Sequence, residues 1–196
     1  MRPFSTVIIL SALIMLLCGA CSSAQRSDVM LRDMDGKVHQ PLQMTESSIA
    51  VVIFVSPDCP IANAIAPEIE RLHQQTMKLG GRFYVVHARR DVTPLRAKEH
   101  AKQYGLSAPV LLDDDHRLVE ALKATVTPEV VVVRGSECDV VYQGQINNLY
   151  ASLGNRRDRA TQHYAREAIQ QAASGGEMNP AYRRPIGCYL EPVRSP

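Results

Sequence analysis

The sequence has no tryptophan, three phenylalanines and only 5% aromatic residues in all. That is too little aromatic surface for a platform on which bases stack. It also lacks an excess of either charge: 22 Lys and Arg stand against 20 Asp and Glu, for a formal net charge of +2. No basic field therefore argues for nucleic acid as a partner. The three cysteines beyond the first two dozen residues, Cys59, Cys138 and Cys188, are widely spaced, whereas a structural zinc site needs closely spaced pairs. Asp113-Asp114-Asp115 lacks the further ligands and distal Glu of an EF-hand and reads as a turn in which Asp115 caps the next helix. The histidines do not fall at metal-ligand spacing. No metal and no cofactor are expected.

What is present is an apolar content of 45% over 196 residues, which suits one globular domain behind a leader. Arg2 is followed by the apolar stretch Val7 to Leu17, broken only by Ser11 and too short to cross a bilayer comfortably. Small residues follow, from Gly19 to Ala24, in the layout of a secretory signal peptide. Cleavage after Ala24 would release a soluble protein. Gly19-Ala20-Cys21 also resembles the end of a bacterial lipobox, with Leu17 one place further upstream than that pattern has it, and makes Cys21 a lipidation candidate. Residues 1–24 are read as leader, and the mature chain is expected to be exported, periplasmic or in the cell envelope. Any membrane association would run through that lipid alone.

The chemistry centres on Cys59. Ala50 to Val55 is a continuous apolar run that reads as a buried strand. Ser56-Pro57-Asp58 turns the chain, and Pro60 fits the first position of a helix. A thiol at that point meets unpaired backbone N–H groups and the positive end of the helix dipole, which favour thiolate. The alternative is an ordinary buried cysteine behind a strand.

Along the chain, Asp35-Gly36 marks a turn between two short extended pieces, and a helix from Pro60 to Leu79 carries Ile61, Ile65, Ile69 and Leu72 at helical spacing. Pro67 inside it is expected to kink it. Phe83 to His87 reads as a strand, Thr93-Pro94 as the start of a helix ending at Tyr104, and Pro109 to Leu112 as a strand. A helix from His116 to Lys123, a hairpin of Glu129–Val133 with Val140–Tyr142, and a last helix from Arg159 to Ala173 capped by Asp158 complete the domain, residues 25–174. The order implies parallel βαβ units with right-handed crossovers and a mixed sheet with helices on both faces. Residues 175–196 form a C-terminal tail without apolar periodicity.

This order, together with Cys59-Pro60 after the first core strand and Thr127-Pro128 before a later one, resembles the thioredoxin-like superfamily. It resembles most its redoxin branch of exported thioredoxin-like proteins and peroxiredoxin-related thiol peroxidases. The resemblance spans roughly Val29 to Ala173 and implies an α/β three-layer sandwich. It implies that Cys59 is the nucleophile and that Pro128 lies beside it behind a cis bond, with Thr127 offering its backbone to an approaching peptide or disulfide. The departures are specific. Ala62 stands where thioredoxins have their second cysteine, and Val52 where peroxiredoxins have a proline, although Ser56 keeps their hydroxyl position. Asn63 stands where a copper chaperone of this superfamily has a cysteine, which leaves His87 as the one remaining hint of copper.

Cys188, preceded by a bend-permitting Gly187, is the candidate partner of Cys59, provided the Cα atoms come within about 7 Å. The alternative is a tail cysteine unrelated to Cys59. Cys138, after Gly135-Ser136-Glu137, reads as a partly exposed, non-catalytic thiol at a hairpin tip. Arg89 could stabilise the thiolate or be a loop charge, and Asn63, one turn after Cys59, could hydrogen-bond near the thiol. Arg156-Arg157 and Arg183-Arg184 read as solvated surface. The expected function is a thiol redox protein acting on disulfides or peroxides, with a thiol or disulfide protein, or a small peroxide, as partner. A thioredoxin-like binding domain without redox cycling is the rival.

Overall fold

Every residue of Ile49–Val55 is buried, because both faces of this strand are covered. It belongs to a computed structural model that describes residues 28–190. The leader with Cys21 and the final positions 191–196 lie outside the described residues. In chain order the strands are β1 (Leu31–Asp33), β2 (Val38–His39), β3 (Ile49–Val55), β4 (Arg82–His87), β5 (Val110–Leu112) and β6 (Val126–Thr127). They continue with β7 (Glu129–Arg134), β8 (Asp139–Gly144), β9 (Tyr150–Ser152), β10 (Asn155–Arg156), β11 (Tyr182–Arg183) and β12 (Cys188–Tyr189). The helices are α1 (Pro60–Lys78), α2 (Pro94–Tyr104), α3 (Arg117–Leu122) and α4 (Tyr164–Ala173).

The main sheet has the order β11-β8-β7-β3-β4-β5-β1-β2. Strands β3, β4 and β5 run parallel, joined through α1 and α2, while β7 is antiparallel to β3 and β1 to β5. Alternation along β3 divides the core. Val51, Ile53 and Val55 pack with Ile61, Ile65 and Ile69 of α1, and with α2 and α4; Ala50, Val52 and Phe54 pack with Leu118 and Leu122 of α3. This is the mixed sheet with helices on both faces that the sequence pattern implied. Phe54 is fully buried, and truncating it to alanine would cost about 3–5 kcal/mol.

Helix α1 runs through Pro67 to Lys78 as one element, as the sequence pattern implied, with Gly81 ending the turn beyond it. Several other local expectations give way to tertiary contacts. Asp115 does not cap α3: its carboxylate pairs with Arg90, and the buried Asp113 Oδ2 instead accepts from the N–H groups of Leu118 (3.0 Å) and Val119 (2.9 Å). Asp158 does not cap the last helix, which begins after His163; the residues before it go to the β9–β10 hairpin. Cys138 is buried rather than partly exposed, because the 40–48 segment folds over the hairpin tip and the thiol donates to the Leu42 carbonyl at 3.0 Å.

Two segments of the tail, β11 and β12, are built into the domain. Strand β11 extends the sheet parallel to β8, and so closely that a Cβ at Gly144, whose φ is +131°, would lie 1.7 Å from the Arg183 carbonyl oxygen. Strand β12 pairs antiparallel with β6, setting Cys188 opposite Thr127.

Candidate active site

Strand β3 ends at Val55, and the turn that follows is closed by a hydrogen bond from the Cys59 N–H to the Ser56 carbonyl at 3.1 Å. Cys59 is the N-cap residue of α1 in extended conformation, Pro60 takes the first turn, and the Cys59 carbonyl accepts the N–H of Asn63 at 3.0 Å. The sulfur therefore sits among the free N–H groups at the helix start, where negative charge is favoured. Ser56 is buried, and its hydroxyl oxygen receives the Asp58 N–H at 3.4 Å.

Three elements meet at that sulfur. The Thr127 carbonyl, next to the cis Thr127–Pro128 bond, accepts the Cys59 thiol at 2.9 Å. The Ala62 N–H comes from the first turn of α1, and β12 brings both the backbone and the thiol of Cys188. Gly187 makes this approach possible, since a Cβ there would stand 2.0 Å from the Thr127 oxygen. A glycine is required because the tail backbone lies directly on the Thr127–Pro128 segment.

The two thiols titrate in opposite directions. Burial opposes ionisation of Cys59, but hydrogen bonds from the Cys188 thiol, the Ala62 N–H, the Cys188 N–H and the Thr127 hydroxyl outweigh it and bring its pKa below the ordinary thiol value. Cys188 is pushed up to about 11 by its own partial burial and by its hydrogen bond to, and repulsion from, the Cys59 sulfur. Access is opposite too. Cys59 is 1% exposed and lies under the tail, whereas Cys188 is exposed. Both are free thiols.

The remaining sequence candidates surround this pair. The Asn63 amide donates to the Pro57 carbonyl at 2.9 Å and accepts from His100 Nε2 at 2.9 Å, so it braces the turn rather than the sulfur. Arg89 binds Asp91 through two hydrogen bonds and reaches Asp58 at 3.3 Å, beside Cys59 on the rim. Arg96 holds the other oxygen of Asp58 at 2.6 Å. His87 is buried with Nδ1 on the Val55 carbonyl, and its ring packs against His100. Among the described residues no three His, Cys, Asp or Glu side chains converge as metal ligands would. Sequence reading passed over His100 and Arg96. The signal for His100 was its place on the apolar stripe of α2 with Ala97 and Ala101.

A mixed sheet flanked by helices, with a cysteine at a helix start beside a cis-proline, defines a thioredoxin-like protein. The chain matches the family model described as Redoxin over residues 10–149, and it belongs to that family. Among solved structures it is similar to a hypothetical protein of Sinorhizobium meliloti, with a TM-score of 0.72, 24% identity and coverage of 84% of this chain and 90% of that one. It is similar to an uncharacterized conserved protein of Geobacillus kaustophilus at a TM-score of 0.67, 21% identity, and 85% and 89% coverage. A secreted Mycobacterium tuberculosis disulfide oxidoreductase aligns with a TM-score of 0.54, 17% identity, and 77% and 98% coverage. No curated protein matches significantly.

Proposed function

We propose that this protein is an exported thiol redox enzyme in which Cys59 is the nucleophile and Cys188 resolves it. The observation that carries this reading is that β12 sets Cys188 opposite Thr127, whose carbonyl accepts the Cys59 thiol at 2.9 Å at the start of α1. It supplies the second thiol that Ala62 does not. Export rests on the leader sequence alone.

With a disulfide substrate, the Cys59 thiolate attacks one sulfur and expels the other half as a thiolate. Cys188 then gives up its proton and attacks the Cys59 sulfur, releasing the second half and leaving a Cys59–Cys188 disulfide. With a peroxide, Cys59 takes one oxygen to become a sulfenic acid and an alcohol or water leaves; Cys188 condenses with it and expels water. Each route moves two electrons from the dithiol to the substrate. A bulky disulfide reaches Cys59 only after the two-residue β12 ladder lifts from β6, a contact whose hydrogen bonds are worth about 0.5–1.5 kcal/mol each. The disulfide oxidoreductase named in the structural comparison fits this reading. The binding-domain rival draws on Ala62 and on the burial of Cys59.

The test is oxidation of the reduced protein with peroxide and with a model disulfide, followed by dimedone labelling and a mass-spectrometric disulfide map. The redox reading expects Cys59–Cys188 in wild type, and a dimedone-labelled Cys59 in Cys188→Ser after peroxide. Failure of every oxidant to modify Cys59 would leave the binding-domain reading standing.

A further inference from the structure

The turn that carries Cys59 is held from the side by α2. The side-chain amide of Asn63 lies between the two: its Nδ2 donates to the Pro57 carbonyl at 2.9 Å, and its Oδ1 stands 2.9 Å from His100 Nε2. A carbonyl can only accept. Asn63 must therefore turn its NH2 group to Pro57 and its oxygen to His100, and the proton of the second bond belongs to Nε2. Asn63 also gives its backbone N–H to the Cys59 carbonyl at 3.0 Å. One residue thus grips the turn at both Pro57 and Cys59, and His100 sets which way its amide faces.

His100 is itself held in place for that contact. It is buried, and its ring packs against His87 at 5.0 Å and Tyr104 at 4.9 Å. Burial first, then Arg96, lower its pKa against a weaker opposing pull from Asp58. The ring is therefore neutral near pH 7, and the Asn63 bond fixes its single proton on Nε2. Nδ1 is buried and has no hydrogen-bond partner among the described residues. A second tie from α2, Arg96 to Asp58 at 2.6 Å, joins side chains that are 35% and 50% exposed, where ion pairs contribute little. The buried bond matters more, because its loss leaves a group unsatisfied away from water.

We propose that His100 is a positioning residue for Cys59: by fixing the Asn63 amide it holds the Pro57–Cys59 turn, so that the sulfur meets its donors at the start of α1 in the geometry from which it attacks. The proposal rests on the reading of Cys59 as the nucleophile. Three contacts set the cysteine: its N–H on the Ser56 carbonyl at 3.1 Å, its thiol on the Thr127 carbonyl at 2.9 Å, and the Ala62 N–H on its sulfur. Each depends on where the turn leaves the residue. Misplacing a reacting group by about 1 Å can cost on the order of a hundredfold in rate, so a loosened turn slows Cys59 without unfolding the domain.

The test uses the full-length protein and four variants. His100→Leu keeps bulk and loses the donor, His100→Gln keeps a donor at the reach of Nε2, Asn63→Ala removes the amide, and a double variant joins His100→Leu with Asn63→Ala. Each is read twice: the pH midpoint of iodoacetamide alkylation at Cys59, located by mass spectrometry, and the stopped-flow rate of Cys59 oxidation by hydrogen peroxide. His100→Leu is expected to raise the midpoint and slow oxidation by roughly tenfold, and His100→Gln to restore both. The double variant should be no slower than Asn63→Ala, since His100 acts through Asn63. A wild-type midpoint and rate in His100→Leu, a loss in His100→Gln as large as in His100→Leu, or additive losses in the double variant would each overturn the proposal. Urea unfolding accompanies every variant, and if His100→Leu does not fold, His100→Met makes the same donor-free comparison. If no oxidant modifies wild-type Cys59, the nucleophile reading fails, and the alkylation midpoints still decide whether His100 sets the sulfur.

Discussion

Cys188 stands directly across a two-residue antiparallel ladder from Thr127, the residue whose carbonyl receives the Cys59 thiol. One backbone segment therefore holds the Cys59 thiol and the backbone of Cys188, and whatever displaces β12 changes the site as a whole. Gly187 is the point where this arrangement is tightest. Gly187→Ala is expected to push β12 off β6, raise the Cys59 pKa and slow formation of the Cys59–Cys188 disulfide by at least about tenfold, about 1.4 kcal/mol on the barrier. The melting temperature should change little, since the ladder is short. Wild-type disulfide formation in this variant would count against the close approach as the feature that brings the thiols together.

The donors on Cys59 can be separated by replacing Cys188 in two ways. Serine keeps a side-chain donor, and alanine removes it while leaving the backbone N–H. Iodoacetamide alkylation against pH should give a Cys59 midpoint below the free-thiol value of about 8.5 in wild type. The midpoint should stay low in Cys188→Ser and rise in Cys188→Ala. Equal midpoints in the two variants would mean that the side-chain donor at position 188 does not set the thiolate.

The sequence carried the sheet and the candidate nucleophile because both depend on local signals. Seven buried residues in β3 make an unbroken apolar run, and a Pro at the first helical turn marks where Cys59 falls. The rest depended on contacts distant in the chain. Strands β11 and β12 have no apolar periodicity and exist only as partners of β8 and β6, so the tail looked loose. Cys138 looked exposed because a hairpin tip normally is; the 40–48 segment that covers it lies about ninety residues away. His163 opens the last helix where Asp158 had the better capping chemistry, since Asn148 Oδ1 draws the N–H groups of Thr161 and Gln162 into the preceding loop.

Cys138 gives a prediction about stability alone. It lies in the core cluster on the α3 side of the sheet, remote in that packing from the cluster that holds Cys59. Cys138→Ser keeps a donor for the Leu42 carbonyl but buries a hydroxyl among apolar groups, at a cost of about 1–2 kcal/mol. Denaturant unfolding should register that loss, while the Cys59 alkylation profile should overlay wild type. A shifted profile would mean that the two clusters are coupled through β3.

The last prediction concerns acid stability and follows from His87. Its ring is fully buried, Nδ1 donates to the Val55 carbonyl at 3.2 Å, and Nε2 has no hydrogen-bond partner among the described residues. Burial first, then the neighbouring His100 and Arg96, bring its pKa down from 6.5 to about 3, against the weaker opposing pull of the Val55 bond. His100 is lowered as well, chiefly by burial and then by Arg96. A buried histidine with a depressed folded pKa stays neutral while the unfolded chain takes up a proton. The unfolded state then binds more protons, and stability falls as pH drops through 6.5, levelling off only near pH 3. Between pH 7 and pH 5 His87 alone accounts for a loss of about 2 kcal/mol. Asp113, whose pKa is raised by burial, works in the opposite direction on acidification. His87→Asn keeps a donor for Val55 without a titrating ring, so it should be less stable at pH 7 but lose less stability on going to pH 5. Urea unfolding at the two pH values measures this. Parallel losses in wild type and His87→Asn would show that the acid sensitivity arises elsewhere.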